Sequence, residues 1–258
     1  MSIANKIGNI ASGVYEQALM EEIRKSKVPH HLGIITDGNR RYARQIGISP
    51  NEGHVRGKDK LEEVLDWAME VGIKIVTVYG FSTENFKRET DEVRFLFNLI
   101  NDSLRDLLHD DRIYKNEIKV KVIGDFRGLP EYLINTINEV EKSTENFKKF
   151  RFNLAIGYGG RQEIISAVKN IASDVVNGIV KLDDINEDLF RNYLYDNTLT
   201  DPDLILRTSG EERISNFLLW QSAYSELYFS DVNWPELKKL DFLRAIYSYQ
   251  SRKRRYGK

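Results

Sequence analysis

Short apolar runs alternate along this chain with longer stretches of helical periodicity. Residues 32–36 (LGIIT) and 73–81 (IKIVTVYGF) are apolar and rich in β-branched or aromatic positions, which predicts strands buried on both faces. Residues 118–124, 150–156 and 204–207 predict three more, and residues 217–220 and 227–229 flank or form a last one. The intervening segments predict helices. Residues 40–46 form a short one, and 58–71 place Leu61, Val64, Leu65 and Ala68 on one face. Residues 91–110 carry Val93, Leu96, Phe97, Ile100, Leu104, Leu107 and Leu108. Helices over 130–143, with proline near the first turn, and 162–177, closed by Gly178, follow. A shorter helix spans 187–195, and a terminal one 235–255.

This β–α alternation predicts an α/β fold with a mostly parallel central sheet flanked by helices. Ligands in such folds sit beyond the carboxyl ends of the strands. Residues 1–28 read as an N-terminal helical lead-in, with Ile3, Ile7, Ile10, Val14, Leu19 and Ile23 loosely on one face. That face suits the domain, a partner or a membrane surface equally. Residues 29–258 contain no repeat or linker that would divide them, and read as a single domain.

Composition narrows the function classes. With 38 Lys+Arg against 39 Asp+Glu the net charge is −1, so no global field points to nucleic acid. The absence of cysteine removes disulfides, thiolate metal sites and a cysteine nucleophile. No apolar run has the length of a membrane span and no signal-peptide core is present, so a soluble, cytoplasmic protein is expected.

Chemistry concentrates where strands end. The first strand runs into Asp37-Gly38-Asn39-Arg40-Arg41, the second into Ser82-Thr83-Glu84-Asn85-Phe86-Lys87-Arg88. The 150–156 strand runs into Gly157-Tyr158-Gly159-Gly160-Arg161, and the 204–207 strand into Thr208-Ser209-Gly210-Glu211-Glu212-Arg213. All four loops belong at one edge of a parallel sheet. Arginines recur there among small and hydroxyl residues, which suits two phosphorylated groups. A helix N-terminus after Gly38 favours an anion, and Asp37 could hold a divalent cation against it. Each loop alone is also readable as an ordinary capped turn or a salt-bridged surface; the conjunction is the stronger signal.

The chain resembles the cis-prenyltransferases, the undecaprenyl diphosphate synthase family, from about His30 to its C-terminus. The carrying motifs are Asp37-Gly38-Asn39-Arg40-Arg41-Tyr42, Gly53-His54, Phe81-Ser82-Thr83-Glu84-Asn85-Phe86, Asp201-Pro202-Asp203-Leu204, Arg207-Thr208-Ser209-Gly210-Glu211, Arg213-Ile214-Ser215-Asn216 and Tyr224-Ser225-Glu226-Leu227. The resemblance implies magnesium-dependent, sequential cis condensation of isopentenyl diphosphate onto an allylic prenyl diphosphate, farnesyl or geranylgeranyl, giving a polyprenyl diphosphate that precedes a lipid carrier. It also implies a homodimer and an apolar product tunnel, lined by the 91–110 helix through Phe95, Phe97, Leu99 and Ile100.

Residue roles follow from the same resemblance. Asp37 is the essential carboxylate, with Glu226, from the partner subunit or the same chain, as a second ligand of the Mg2+. Gly38, Asn39, Arg40 and Arg41 form the cradle of the allylic diphosphate, with Arg88 reaching in and His54 assisting there. Arg207, Arg213, Ile214 and Ser215 belong to the isopentenyl diphosphate site. Ser82, Thr83 and Glu84 line the intervening loop, and Tyr42 and Phe86 wall the isoprenoid where bacterial members carry tryptophan. Asn85 is the family's candidate for assisting proton removal; an amide is a poor base, so orientation or relay is its expected part.

Arg40 stands where bacterial members carry a second glycine, a feature of archaeal and eukaryotic members. Pro50 stands where many relatives carry a primer-binding arginine, which leaves Arg44 or Arg56 as substitutes. Arg255 and Gly257 match an Arg-x-Gly ending that reaches across the dimer, and the basic tail around them would also favour an anionic lipid surface. Two rival readings remain on sequence grounds: a noncatalytic subunit of a heteromeric prenyltransferase, and a general phosphate-binding module. The first is opposed by the full set of site residues. The second is opposed by the lack of a Walker lysine loop or Rossmann glycine fingerprint.

Overall fold

A computed structural model of the chain describes residues 3–252, with side chains described from Gly13 onward. Six strands occur among these residues: β1 (His31–Ile35), β2 (Ile75–Ser82), β3 (Ile118–Ile123), β4 (Phe150–Tyr158), β5 (Leu204–Arg207) and β6 (Glu226–Phe229). They form one sheet in the order β3-β4-β2-β1-β5-β6, and every neighbouring pair is parallel. The helices are α1 (Ile3–Arg24), α2 (Asn39–Ile46), α3 (Pro50–Val71), α4 (Thr90–His109), α5 (Asp111–Lys115), α6 (Glu131–Thr144), α7 (Gly160–Val176), α8 (Glu187–Arg191) and α9 (Lys239–Ser251).

Side chains alternate between the two sheet faces. Leu32, Ile34, Val76 and Val78 pack into a large core with α1, α3, α4, α6 and α9. Ile35, Ile75, Tyr79 and Ile205 face a smaller core that includes Phe217 and Leu218, from the loop after β5. Fully burying side chains of this size contributes roughly 1.5–3 kcal/mol each. The second half of α1 joins the large core through Leu19, Met20 and Ile23, and Gln250 Nε2 donates to the Ile23 carbonyl at 2.9 Å. Of the three surfaces open to the lead-in, that half lies on the domain itself.

Several elements differ from the sequence expectation. Helix α3 starts eight residues early, because Ser49 caps it, Glu52 completes a capping box and Pro50 suits the first turn. His54 is therefore helical and buried, where glycines at 53 and 57 had obscured the periodicity. Helix α8 stops at Arg191 rather than Tyr195, and residues 217–220 are turn, leaving Glu226–Phe229 as the last strand. The C-terminal helix begins at Lys239, after a single turn over Trp234–Glu236. Arg255 and Gly257 lie outside the described residues.

From β1 the chain passes through α2 and α3 to β2 on one side, whereas β5 pairs with β1 on the other. The β1/β5 junction is thus the point where strand order reverses, the usual ligand crevice of open parallel sheets. Beside it, between α3 and α4, lies a cavity of about 120 Å³ lined by His54, Gly57, Leu61, Leu96, Leu99, Ile100, Leu154 and Trp234 among others. Of the expected tunnel residues, Leu99 and Ile100 face it. Phe97 instead packs in the core against Phe81 and Phe86, and Phe95 is half-buried away from the lining.

The opposite end of the sheet is held by a buried polar chain. His31 Nδ1 lies 2.6 Å from the Thr200 carbonyl, so Nδ1 carries the proton, and Nε2 accepts from the Thr77 hydroxyl at 2.7 Å. Asn153 Nδ2 donates onward to Thr77 Oγ1, and Arg151 Nε donates to Asn153 Oδ1. Burial pushes the His31 imidazole down to about 4. The unfolded chain therefore binds the extra proton first. This contribution is complete above pH ~6.5 and is lost as the pH falls to about 4, a span worth ~3 kcal/mol. Urea unfolding between pH 4 and 7 should show stability rising with pH, and His31→Asn, though less stable at pH 7, should rise with a shallower slope. Equal slopes would contradict a neutral buried imidazole.

Candidate active site

Asp37 follows β1 directly, and its backbone is fixed before its carboxylate is used. The Asp37 carbonyl accepts from Thr208 Oγ1 at 2.7 Å and from the Trp234 amide at 3.0 Å. Its Oδ1 accepts from the Gly38 amide and its Oδ2 from Arg207 Nη2, both at 2.8 Å. The Arg207 side chain is 4% exposed and that of Asp37 36%, so a buried cation meets a carboxylate at the crevice surface. Arg207 Nη1 also donates to Ser215 Oγ at 2.6 Å and to the Arg213 carbonyl. Its Nε is buried without a partner among the described residues.

Helix α2 begins at Asn39 with no side-chain cap, leaving first-turn amides open at the crevice. Gly38 has φ +107°, and a Cβ there would lie 2.7 Å from Asn233 Oδ1, so only glycine fits. Two glycines one turn apart on α3 let α2 approach. A Cβ on Gly53 would meet the Asn39 carbonyl at 2.5 Å, and one on Gly57 would meet Asn39 Oδ1 at 2.3 Å. Asn39 Oδ1 is buried and unpartnered. Gly57 was missed in the sequence; its spacing of four from Gly53 on a helix face was the available signal.

Apart from Arg207, the expected diphosphate-binding cations gather in two groups, each on one carboxylate. Arg41 donates to the Ser209 carbonyl at 2.5 Å, to Ser209 Oγ at 2.6 Å and to Glu211 at 2.9 Å. The Arg213 guanidinium donates to the other Glu211 oxygen at 2.6 Å. Arg88, His54 and Arg40 surround Glu92 Oε1 at 3.0, 3.2 and 3.7 Å. Burial holds the His54 imidazole below its ordinary range, against the opposing hydrogen bond to Glu92. Arg40, rather than Arg44 or Arg56, joins this cluster, while Pro50 serves as the first residue of α3. Glu92 was not among the residues singled out from the sequence.

Between the groups stands the loop after β2. The Ser82 amide donates to Asn85 Oδ1 at 3.0 Å, closing a single turn over Thr83–Lys87. With that oxygen engaged, Asn85 presents its Nδ2, which can only donate. Glu84 accepts from Asn216 Nδ2 at 3.1 Å. Burial would raise its carboxyl, but hydrogen bonds from its own amide, Ser82 and Asn216 bring it below the ordinary value. Tyr79, Ser82, Glu84, Ser215 and Asn216 line a cleft of about 550 Å³. Phe86 packs edge-on against Phe81, and Tyr42 is half-buried on α2.

The loop after β5 is strained into place. Ser209, Ser215, Asn216 and Leu218 all have positive φ without being glycine, at ~1–2 kcal/mol each. The Gly160 and Arg161 amides at the start of α7 donate to the Asn216 carbonyl and Oδ1. Phe217 stacks on Tyr79 with ring centroids 4.7 Å apart, and Ile214 packs beside it in the smaller core. Gln221 donates to buried Glu163, which also accepts from Tyr158 OH at 2.5 Å and the Tyr195 amide at 3.1 Å. Burial raises the Glu163 carboxyl above its ordinary value despite these donors.

Glu226 is not brought to Asp37 within the chain. It opens β6 opposite Leu204, three residues before Arg207, so it lies about 10 Å back along the sheet. There Arg252 Nη1 donates to its Oε2 at 2.7 Å. No group of three or more acidic, histidine or cysteine side chains among the described residues could hold a metal. The half-exposed Asp37 carboxylate nonetheless fits magnesium, which takes one or two carboxylates and fills its shell with phosphate oxygens and water, while the unpartnered Arg207 Nε is a donor for an anion. Gly57→Ala should push Asn39 aside and weaken binding of inorganic diphosphate about tenfold by calorimetry, with the fold retained by circular dichroism. Unchanged binding would show that the Asn39 position does not matter.

Residues 35–257 match the family described as "Putative undecaprenyl diphosphate synthase". A protein of Picrophilus torridus named tritrans,polycis-undecaprenyl-diphosphate synthase (geranylgeranyl-diphosphate specific) is 74% identical over 251 residues, covering 97% of this chain and 98% of its own length. One of the same name from Thermoplasma volcanium is 67% identical over the full length of both. Lavandulyl diphosphate synthase from Lavandula x intermedia, solved in complex with dimethylallyl diphosphate, superposes with a TM-score of 0.86 at 37% identity, over 90% of this chain and 99% of that one. The shared parallel sheet, the strand-end motifs and these matches lead to one conclusion: the chain belongs to the undecaprenyl diphosphate synthase family and is a prenyltransferase.

Proposed function

We propose that the protein condenses isopentenyl diphosphate repeatedly, in cis geometry, onto geranylgeranyl diphosphate. The product is a long polyprenyl diphosphate of the kind that precedes a lipid carrier. The observation that carries this reading is the Asp37–Arg207 pair at the β1/β5 junction, flanked by two separate cation groups. The primer assignment follows the specificity in the names of the relatives at 74% and 67% identity. Because the family fold also serves a lavandulyl diphosphate synthase, fold alone does not fix the product.

In this reading the primer's diphosphate sits against the open amides of α2, with Arg40, Arg41, Arg88 and His54 around it, and its isoprenoid enters the apolar cavity between α3 and α4. That cavity, about 120 Å³, is small beside a long polyprenyl chain, so the growing product would extend beyond it. Arg207, Arg213 and Ser215 hold the second diphosphate. Asp37 would hold magnesium, which when bound would supply Lewis-acid stabilisation of the leaving diphosphate. Several donors are needed because each ~1.4 kcal/mol is only tenfold in rate. Asn85, donating through Nδ2, orients an oxygen, and the released diphosphate takes the proton lost after the isopentenyl double bond attacks the allylic carbon.

The active form is a homodimer. Glu226, remote from its own Asp37, and the tail carrying Arg255 and Gly257 serve the neighbouring subunit. Pairing would cover apolar surface such as Ile165 and Val168, which α7 leaves exposed. The apolar product invites peripheral contact with lipid, and no helix among the described residues is long and apolar enough to cross a membrane.

The purified chain alone, with geranylgeranyl diphosphate, labelled isopentenyl diphosphate and magnesium, should yield long polyprenyl diphosphates by mass spectrometry, more efficiently than with farnesyl diphosphate. Inactivity until a second protein is added would favour the noncatalytic-subunit reading. Asp37→Asn should lower turnover about 100- to 1,000-fold with the fold intact. EDTA should stop the reaction and magnesium restore it; turnover indifferent to both would refute the role given to Asp37.

A further inference from the structure

Glu92 occupies an unusual position for a carboxylate. One of its oxygens, Oε1, is shared by Arg88 Nη1 at 3.0 Å, His54 Nε2 at 3.2 Å and Arg40 Nε at 3.7 Å. The Glu92 side chain is 12% exposed and that of His54 8%, so the carboxylate and imidazole are largely out of water, with Arg40, 52% exposed, at the rim. Glu92 sits in the first turn of α4, and Arg88 reaches it from the extended backbone just before that helix. His54 also lines the apolar cavity. The point where three cationic or donor groups converge is thus the mouth of a greasy pocket, the shape that takes an anionic head joined to an apolar tail.

We propose that Glu92 is a built-in counter-anion that sets which anions the primer pocket accepts. An incoming phosphoryl oxygen that uses Arg40, His54 and Arg88 must take the place of Glu92 Oε1. A tethered carboxylate competes at high local concentration, so a weakly charged anion gains little by displacing it. A diphosphate brings more charge and more oxygens, and makes contacts with Arg40, Arg88 and the α2 amides that one carboxylate oxygen does not match. The same competition returns the cations to Glu92 once the ligand leaves, so neither partner is left buried and unpaired. Selectivity arises by penalising the wrong ligand rather than by improving contacts to the right one.

This inference rests on the assignment of Arg40, His54 and Arg88 to the primer's head group. Its test is binding of inorganic phosphate and inorganic diphosphate, by calorimetry, to the wild type, Glu92→Gln, Glu92→Asp and the double variant Arg88→Met/Glu92→Gln. Glu92→Gln keeps the shape and removes the competitor, so phosphate should tighten about tenfold and diphosphate by less, narrowing the preference. The double variant should lose the gain, and Glu92→Asp, charged but shorter, should fall between wild type and Glu92→Gln. Weaker or unchanged phosphate binding in Glu92→Gln would mean that Glu92 only steadies the cations, and overturns the proposal; should that variant fail to fold, wild-type-like binding by Glu92→Asp does so. If phosphate tightens while the wild type elongates no prenyl diphosphate, the counter-anion role stands and the synthase reading fails.

Discussion

Arg207 is a full charge buried at the end of a central strand, and its neutralisation governs the site. A buried guanidinium is costly unless its donors are met. Asp37 meets one from β1, while Ser215 and the Arg213 carbonyl meet others from the loop that follows β5. Those partners lie 170, 8 and 6 residues away in sequence. The interaction therefore ties the first strand, the fifth strand and the loop after β5 into one unit. Because β1 and β5 are parallel neighbours with Ile35 opposite Arg207, Asp37 reaches the guanidinium without a long excursion of the chain.

Around that pair, backbone proximity does what side chains do elsewhere. Gly53 and Gly57 let α2 press its Asn39 against α3, and Gly38 lets the chain turn under Asn233. The carboxylates then divide the cations. Glu211 gathers Arg41 and Arg213, and Glu92 gathers Arg40, Arg88 and His54. Glu211 thus joins Arg41 to Arg213 across the two expected diphosphate sites, while Glu92 holds its three partners at the mouth of the apolar cavity.

Much of this was legible in the chain. The strands showed because burial on both faces gives continuous apolar runs, and the order of strand-end motifs placed Asp37 and Arg207 at one edge. The start of α3 was not read, although Ser49-Pro50-Asn51-Glu52 is a capping box, because two glycines and several charges masked its period. Glu92 was invisible for a different reason. An acid in a first helical turn looks like an ordinary partner of the helix dipole, and only the folding of α2, α3 and α4 together reveals three donors on it. The placement of Glu226 at the far end of β6 depends on strand register, which no local pattern specifies.

The left-handed residues after β5 carry a kinetic meaning. Ser215, Asn216 and Leu218 are held in their costly conformations by the start of α7, by the Phe217–Tyr79 stack and by buried Glu163. A subsite shaped this way is ordered before any substrate arrives. Under the proposed elongation, which would refill this subsite at every round, the entropy of arranging it is lost once, as the polypeptide folds, and the pace of successive rounds would be freed from that delay.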